Sequence, residues 1–489
     1  MQHKRVIFVA VGVGEFALRE WLLVAMKLRE EGLSTAFVSE TPLSDSLRKD
    51  CEAYGITLEL TSSYRLAERE IKNLNPRNLI GLYARFLFHL FGFSKIVNAL
   101  NNSLQDYGFG WTLARRGDAC AFVMHTDTFS SKHRAIALCA RKKNIPVFVA
   151  PLAAPAMAGT YLTTRMRNEH VDPGLEINSA NGRLLAMVRS KWVTDCYGVR
   201  MFVDNPAILL AQDIIGLDVP QPWSRAGGVA TKLLAHSEVE KHVCEEEKVP
   251  SEKITVTGRA HFDRLAKALG PGQGEYKKGI IASLKLKPGL KTVLVNVPMR
   301  SKGPKYTRHG TSGMWPWEDY IKELGLMINM CLAIENVQYM LHFHPGCSRD
   351  YYKQFLNDRV VDASRYEFVD LLPAVDAVIT EHSSIIPFVM GAGLPVISML
   401  YWSLHDSSMG NADFRRLFVS RMCEAGISLV WDSRNLKQVL HESLFSAETK
   451  REIERKQSAS RDKWVITDGR CAERMALAIK SEIDKKQVI

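Results

Sequence analysis

The sequence contains no run of about 18 apolar residues, the length that an α-helix needs to cross a bilayer. It also lacks a leader in which an apolar segment is followed by a cleavage site, because Met1–Arg5 leads directly into the strand-like run 6–11. From these two absences we expect a cytoplasmic protein.

Paired cysteines are lacking as well. The nine cysteines are scattered, their number is odd, and no two of them have the spacing of ligands in a metal site. Reduced thiols of this kind are typical of a reducing compartment. We therefore expect structural cysteines and no metal centre.

Acidic residues are too few to balance the basic ones. Asp and Glu number 53 against 64 Lys and Arg, which gives a net charge of +11. A basic chain favours nucleic acid, an anionic membrane face or phosphorylated substrates as partners. The sequence has no motif with base-reading residues, so we expect no nucleic acid partner. Peripheral association with an anionic membrane face remains as the second expectation.

A chain of 489 residues exceeds one ordinary hydrophobic core. Short apolar runs alternate with helical patterns, which predicts α/β domains with parallel sheets. The segment 270–274, GPGQG, has the composition of a linker. We therefore predict an N-terminal domain at 1–272 with an irregular elaboration at about 153–230, a C-terminal domain at 273–447, and helices at 448–489.

The stretch 376–399, DAVITEHSSIIPFVMGAGLPVISM, predicts a strand at 377–380, a polar turn, a helix at 385–392 and a second strand at 395–399. Unpaired backbone N–H groups at a helix start favour an anion, and serine hydroxyls add donors. The alternative is a helix cap that binds nothing. The sequence predicts a phosphate or diphosphate site formed by Glu381, His382, Ser383 and Ser384.

Two other predicted strands are followed by cationic or histidine side chains. The strand 292–297 precedes a loop that contains Arg300 and Lys302 and no acid, and the strand 339–343 precedes His344. A solvated loop is the alternative for the basic segment. Because the carboxyl ends of parallel strands share one edge, we expect the three strand ends to form one nucleotide site facing a cleft.

The N-terminal domain opens with a strand, the turn Gly12-Val13-Gly14 and a helix that begins near Glu15. The turn lacks the third glycine of the dinucleotide fingerprint, so it predicts either close backbone packing or a loop that receives an acceptor substrate. Glu15 is a candidate general base, and the alternative is a helix-capping carboxylate.

His125 and Asp127 follow the predicted strand 119–124. Open α/β sheets bind ligands at this end of their strands, and either side chain has the chemistry of a general base. The alternative is a capping aspartate beside a hydrogen-bonded histidine. We order the candidate bases Asp127, His125 and Glu15.

The most apolar stretch is 79–93, LIGLYARFLFHLFGF, which predicts a helix with Arg85 and His89 on one side. It is too short to span a bilayer. A buried helix is one interpretation, and a helix that touches a membrane face or a lipid-linked acceptor is the other.

Six sequence blocks together resemble one architecture, the GT-B glycosyltransferases. Within it the chain resembles the CDP-glycerol glycerophosphotransferases and the capsule and teichoic-acid polymerases. It resembles the non-hydrolysing UDP-N-acetylglucosamine 2-epimerases more distantly. The blocks are ITVTGRAHFDRL at 254–265, VNVPMR at 295–300, HFHPG at 342–346, VDLLPAVDAVITEHSS at 369–384, GLPVI at 393–397 and DGRCAER at 468–474.

This resemblance implies two Rossmann-like domains that face a central cleft, with the last helix returning to the N-terminal domain. It implies an enzyme that uses a nucleotide-activated sugar to build a cell-surface polysaccharide or a lipid-linked glycan, without a metal or a cofactor. Glycerol-phosphate transfer and UDP-sugar 2-epimerisation are alternative activities. A non-catalytic protein that binds a nucleotide-sugar or a glycan is a third possibility.

The resemblance also implies roles for single residues. Arg300 and His344 would contact the phosphates of the donor, and His344 would assist the leaving group. Ser383 and Ser384 would hold the diphosphate at the start of the helix.

The chain departs from the family pattern one turn into this helix. The families place an acid there that often binds the ribose, whereas Pro387 and Phe388 occupy that region in this chain. The ribose contact is then left to Glu381 or to another loop.

Overall fold

The chain forms two compact units, which a computed structural model describes between Lys4 and Gln487. Unit 1 comprises Met1–Thr160, Asp172–Ala260 and Arg470–Ile489, and unit 2 comprises Tyr161–Val171 and His261–Gly469. Within the described part, the residues left out are 12–13, 62–93, 129–130, 153–176, 178–179, 197–198, 221, 224–228, 247, 298–316, 344–346, 348, 382 and 400–419.

Unit 1 contains a seven-stranded sheet in which all neighbouring strands are parallel, with the order β3-β2-β1-β4-β5-β8-β9. A separate antiparallel pair is formed by β6 and β7. The strands are β1 Arg5–Ala10, β2 Ser34–Ser39, β3 Thr57–Leu60, β4 Ala119–Met124, β5 Val147–Val149, β6 Val193–Cys196, β7 Val199–Phe202, β8 Lys232–Ala235 and β9 Ile254–Val256.

Helices connect the parallel strands of unit 1, as crossovers between parallel strands require. Short polar side chains cap several of them: Ser44 accepts a hydrogen bond from the backbone N–H of Leu47 at the start of α2, and Asn205 caps α6 in the same way. The helices are α1 Gly14–Glu30, α2 Asp45–Ala53, α3 Ser94–Ala114, α4 Ser131–Lys142, α5 Ala180–Val188, α6 Pro206–Ile214 and α7 Glu238–Glu246.

Alternate residues of β1 point to opposite faces of the sheet of unit 1, and both faces are covered. Val6 and Phe8 belong to a cluster that α1 closes, whereas Ile7 and Val9 belong to a second cluster that includes residues of α3 and α4. A parallel sheet with helices on both faces has strands that are apolar throughout. This explains why the run 6–11 carries no polar residue.

Unit 2 contains a six-stranded parallel sheet with the order β12-β11-β10-β13-β14-β15. The strands are β10 Lys291–Val297, β11 Val337–Phe343, β12 Val360–Asp362, β13 Ala377–Thr380, β14 Val396–Met399 and β15 Ser428–Val430. The helices are α8 Ala260–Ala268, α9 Gln273–Ser283, α10 Trp317–Leu332, α11 Phe368–Leu371, α12 Ile386–Gly391, α13 Ser420–Glu424, α14 Leu436–Phe445 and α15 Ala447–Trp464.

The last helix, α16 Cys471–Gln487, belongs to unit 1. Its residues Met475, Ile479 and Ile483 lie in the same cluster as Val24 and Leu28 of α1. The chain therefore returns from unit 2 to unit 1, as predicted. Together with the two parallel sheets, this return confirms the predicted fold class of two Rossmann-like α/β domains.

Within the described residues, the ranges expected for the domains differ from the observed units at 261–272 and 448–469, which both lie in unit 2. Phe262 of α8 packs in unit 2 with its ring centroid 4.8 Å from that of Phe388. Gln457 of α15 donates a hydrogen bond of 2.9 Å to the backbone oxygen of Leu394. Apolar packing and a backbone contact thus attach both segments to the second sheet.

The segment 270–274, expected as a linker, forms the turn between α8 and the start of α9. Gly272 at this turn has φ +95°, a left-handed conformation that glycine adopts without steric cost. The glycine is therefore explained by local geometry within unit 2.

The irregular elaboration expected at about 153–230 contains, in its described part, the hairpin β6–β7 and the helices α5 and α6. A small cluster that includes Trp192, Phe202 and Leu209 packs them together. The apolar stretch 79–93 lies outside the described residues. Among the helices that are described, none has both the length and the apolar character needed to span a membrane.

Candidate functional site

The three strands whose carboxyl ends are predicted to form a nucleotide site end at one edge of the sheet of unit 2. The strand β10 lies between β11 and β13, and all three run parallel. The residues that follow them are Arg300 and Lys302 after β10, His344 after β11, and His382 after β13, and these four lie outside the described residues.

The turn after β13 is described on both sides of His382. Ser383 stabilises the turn itself, because its backbone oxygen accepts from the N–H of Ile386 at 3.2 Å and its hydroxyl lies 3.5 Å from the N–H of Ile385. Ser384 is half-buried, and its hydroxyl makes no hydrogen bond within the described part of the chain. Of the two serines, Ser384 is therefore the better placed to bind a ligand.

The helix that follows this turn is shorter than the sequence predicts. Only Ile386–Gly391 is helical, six residues in place of the expected 385–392. Pro387 in its first turn has no backbone N–H, and a short helix has a small dipole. An anion here would therefore depend on hydroxyls and cationic side chains more than on the helix.

Phe388 explains why the chain departs from the family pattern at this helix. Its side chain is buried, and it packs edge-on against Phe262 with ring centroids 4.8 Å apart. A carboxylate at this position would be buried among apolar groups and would lose its hydration. The position belongs to the hydrophobic core in this chain.

A polar contact beneath this edge was not predicted. The side-chain amide of Asn296 donates a hydrogen bond of 3.2 Å to the hydroxyl of the fully buried Thr380. It joins β10 and β13 near their carboxyl ends. The signal in the sequence was a polar residue near the end of each buried strand.

The side chain of His342 makes contacts within unit 2. Its Nε2 donates to the backbone oxygen of Tyr366 at 3.2 Å, and its ring lies 5.7 Å from that of Phe368. Burial lowers the pKa of His342, since it disfavours the imidazolium. This histidine attaches β11 to the segment before α11.

The candidate base Glu15 lies at the start of α1, and its carboxylate accepts three hydrogen bonds. It accepts from the backbone N–H and the hydroxyl of Ser44 at 2.7 and 2.6 Å, and from Arg19 Nε at 2.7 Å. Burial alone would raise the pKa of Glu15, but these hydrogen bonds outweigh burial and lower it. The geometry favours a structural role in which Glu15 links α1 to Ser44, the residue that caps α2. Gly14 is the first residue of α1, and Gly12 lies outside the described residues.

Asp127 is fully buried beyond the end of β4. Its carboxylate accepts a hydrogen bond of 2.8 Å from the backbone N–H of Ala230. The neighbouring backbone oxygen of Thr128 accepts from the buried Arg134 at 2.9 Å, and Arg134 also contacts Gln212 of α6. This network holds the loop after β4, which favours the structural alternative for Asp127.

His125 is half-buried, so it is more accessible than Asp127. Its ring meets that of His133 at nearly a right angle, with centroids 4.5 Å apart. His133 lies on α4, and on this helix Lys132 forms an ion pair of 2.6 Å with Glu40, which follows β2. The carboxyl edge of the first sheet thus combines two histidines and an ion pair. Lys132 and His133 were not predicted, although both open the helix after a candidate strand end.

Removing His133 is expected to change the pH dependence of stability. Burial lowers the pKa of His133 from 6.5 to about 4. A hydrogen bond with the backbone of Val11 raises the pKa, but its effect is smaller than that of burial. The imidazole of His133 therefore binds its second proton more tightly in the unfolded chain than in the folded one. As a result, the free energy of unfolding falls as the pH drops from 6.5 toward 4. The expected loss at pH 5 is about 2 kcal/mol relative to pH 7.5.

Urea unfolding of the wild type and of His133→Gln at both pH values measures this loss. The variant has no titrating group at this position, so its stability should fall by about 2 kcal/mol less. Equal losses in the two proteins would show that His133 titrates normally.

A second buried histidine, His236, follows β8. Its Nε2 lies 2.6 Å from the backbone oxygen of Pro151, and its Nδ1 lies 3.4 Å from Glu240 of α7. The same carboxylate accepts from the backbone N–H of His236. These contacts attach the end of β8 to the segment after β5. The only sequence signal was a histidine at a strand end with an acid four residues later.

No family model matches the sequence. No curated protein matches it either.

Solved structures do match, at low sequence identity. The S. aureus MnaA–UDP co-structure is 12% identical, with a TM-score of 0.53 over 98% of this chain and 97% of that chain. A variant of the wall teichoic acid polymerase TagF is 13% identical, with a TM-score of 0.54 over 99% and 90% of the two chains. The UDP-GlcNAc 2-epimerase from Neisseria meningitidis, bound to UDP-GlcNAc, is 13% identical, with a TM-score of 0.51 over 98% and 100%.

The likeness extends over nearly the whole of each chain, and at this identity it concerns the fold alone. The GT-B fold predicted from the sequence blocks is thereby confirmed.

Proposed function

We propose that this chain is a GT-B glycosyltransferase that uses a nucleotide-activated sugar to build a cell-surface polysaccharide or a lipid-linked glycan. The observation that carries the proposal is the adjacency of β11, β10 and β13, whose carboxyl ends precede the histidine, basic and serine segments. Two of the similar structures contain UDP or UDP-GlcNAc, which supports a nucleotide-sugar as the donor class.

The donor edge would act on the leaving diphosphate. When the bond between sugar and phosphate breaks, negative charge develops on the phosphate oxygens. Arg300, Lys302 and the Ser384 hydroxyl would offset this charge, and His344 would donate a hydrogen bond or a proton to it. Preorganised donors of this kind serve in place of a metal ion, so we propose a reaction that needs none. Glu381 would contact the ribose.

The acceptor hydroxyl must lose a proton as it attacks the sugar. Among the three candidate bases in unit 1, His125 combines partial exposure with a place at the carboxyl edge of the sheet. Asp127 is fully buried against the backbone of Ala230, and Glu15 is held by Ser44 and Arg19. We therefore propose His125 as the base, with Asp127 as a positioning residue. The acceptor would approach along the Gly12–Gly14 turn.

Glycerol-phosphate transfer and UDP-sugar 2-epimerisation are the alternative activities, because a teichoic acid polymerase and a UDP-GlcNAc 2-epimerase share the fold. Both would use the same diphosphate edge. A non-catalytic nucleotide-sugar or glycan-binding protein is favoured only by the apolar residue Phe388 in place of the family carboxylate.

Titration calorimetry with UDP, CDP, GDP and CMP tests the proposal. We expect one nucleoside diphosphate to bind more tightly than CMP, since the second phosphate adds charge-assisted hydrogen bonds. The sugar conjugate of that nucleotide is then incubated with the protein and candidate acceptors. Transfer of the sugar supports the proposal, a changed configuration at C2 indicates an epimerase, and binding without turnover indicates a binding protein. Absence of binding to all four nucleotides would contradict the donor site.

Ser384→Ala is expected to weaken binding of the nucleoside diphosphate by about tenfold, the effect of removing one hydrogen bond to a charged group. Ser446→Ala is the matched control, because Ser446 also lies at a helix start in unit 2, where it caps α15. The control should lower stability without changing affinity. If both variants bind as the wild type does, Ser384 does not contact the diphosphate.

A further inference from the structure

The ends of α3 and α4 form an aromatic and basic surface on unit 1. Gly110 allows the two helices to approach closely, because a Cβ atom there would lie 2.6 Å from the carbonyl carbon of Ala135. We call this surface the Trp111 patch, and it consists of Tyr107, Trp111 and Arg115 with Arg141, Lys142 and Lys143.

Cationic groups surround the two rings of the Trp111 patch. The guanidinium of Arg115 lies 5.2 Å from the Trp111 ring centroid, and the amines of Lys143 and Lys142 lie 5.8 and 6.0 Å from it. Lys142 also lies 5.3 Å from the Tyr107 ring and donates to its hydroxyl at 3.1 Å. The cationic side chains are exposed and the rings are half-buried.

Three cations of this patch are not neutralised by neighbouring carboxylates among the described residues. Arg141, Lys142 and Lys143 form no ion pair within the described part of the chain. The nearby Arg116 differs, since its guanidinium binds Glu59 and Asp118. Cations held together without carboxylates produce a local positive potential, which complements an anionic surface.

The patch lies at the end of the sheet opposite to the candidate base. Arg115 directly follows α3 and precedes β4, and Lys142 and Lys143 lie at the end of α4 and precede β5, so these cations lie toward the amino ends of two parallel strands. His125 lies at the carboxyl end of β4. A partner bound to the patch would therefore leave the candidate catalytic edge free.

We propose that the Trp111 patch docks unit 1 onto an anionic phospholipid surface. Trp and Tyr rings are favoured at the depth of lipid headgroups, and Lys and Arg beside them bind anionic lipids. A nucleic-acid base would need an open ring face for stacking, whereas three cations already surround Trp111. Binding of the patch to a membrane would not depend on which reaction the protein catalyses.

Vesicle sedimentation at low salt tests the patch, with phosphatidylglycerol–phosphatidylcholine vesicles compared with phosphatidylcholine alone. The double variant Arg141→Glu/Lys143→Glu should bind the anionic vesicles at least about thirtyfold more weakly than the wild type, because two favourable charges are lost and two repelled carboxylates are added. The control is Lys278→Glu/Lys437→Glu, which changes the net charge equally at exposed positions of unit 2. The control should bind much as the wild type does.

Unfolding curves should be similar for all three proteins, since the four altered side chains are exposed. Equal weakening in the two double variants would show that total charge, not the patch, drives binding. Wild-type binding by the patch variant, or binding of duplex DNA in preference to anionic vesicles, would overturn the proposal.

Discussion

Replacing His344 by alanine is expected to lower turnover about a hundredfold. This is the effect of losing one preorganised donor, about 3 kcal/mol, where negative charge develops in the transition state. His344 directly follows β11, whose neighbours in the sheet are β10 and β12. Because His344 follows the last residue of β11, its replacement leaves the strand itself unchanged, and we expect the variant to remain folded. Turnover with the nucleotide-sugar identified by calorimetry is the measurement.

His441→Ala is the matched control, because this exposed histidine lies on α14 and not at a strand end. Its turnover should equal that of the wild type. His344→Gln separates the two roles proposed for His344, since glutamine donates a hydrogen bond but transfers no proton. If His344→Ala folds normally and keeps full activity, the proposed role is wrong, and the basic residues between Lys302 and Arg308 become the next candidates.

Replacing Arg259 by alanine is expected to destabilise unit 1 by about 3–5 kcal/mol, because it leaves a buried carboxylate without its counter-ion. Arg259 Nε and Nη2 donate to the two carboxylate oxygens of Glu20 at 2.5 and 2.7 Å. The side chains are only 5% and 3% exposed, so water cannot replace the lost partner. Urea unfolding monitored by circular dichroism measures the change.

Two comparison variants test the reason for this loss. Glu20→Leu/Arg259→Met removes both charges and should be less destabilising than Arg259→Ala, since no unpaired charge remains. Arg455→Ala breaks an exposed pair with Glu452 and should change stability very little, because water screens such pairs. If Arg259→Ala costs no more than Arg455→Ala, the buried pair is not a source of stability.

Two of the sequence blocks that resemble GT-B enzymes meet in unit 1. Arg474 donates to the backbone oxygen of Thr257 at 2.9 Å, and Cys471 packs directly on Gly258. Gly258 has φ +81°, and a Cβ atom there would overlap the Cys471 sulfur. Contacts between the blocks at 254–265 and 468–474 thus support the return of the last helix to unit 1.

Several strands could be located from the sequence because a parallel strand buried on both faces is apolar throughout. The predicted strands 119–124 and 377–380 agree with β4 and β13 at both ends. In both cases a polar segment follows the last apolar residue, which marks the carboxyl end of the strand. The shared edge of β10, β11 and β13 followed from the same pattern, whereas the order β11-β10-β13 is a finding of the tertiary structure.

Short or local elements were harder to predict. The helix after Ser384 is only six residues long, and its residue Phe388 packs against Phe262, neither of which the apolar pattern alone shows. The GPGQG segment has the composition of a linker, yet one of its glycines is needed for a left-handed turn within unit 2.

The amino-acid sequence by itself determined the α/β class, the parallel strands and the edge at which polar residues gather, because these depend on local apolar patterns. The tertiary structure decided which candidate bases are accessible. Asp127 accepts a hydrogen bond from the backbone of Ala230 and Glu15 accepts two from Ser44, and both partners are distant along the chain. Their contacts form only when the segments pack, so a pattern read along the chain contains no signal for them.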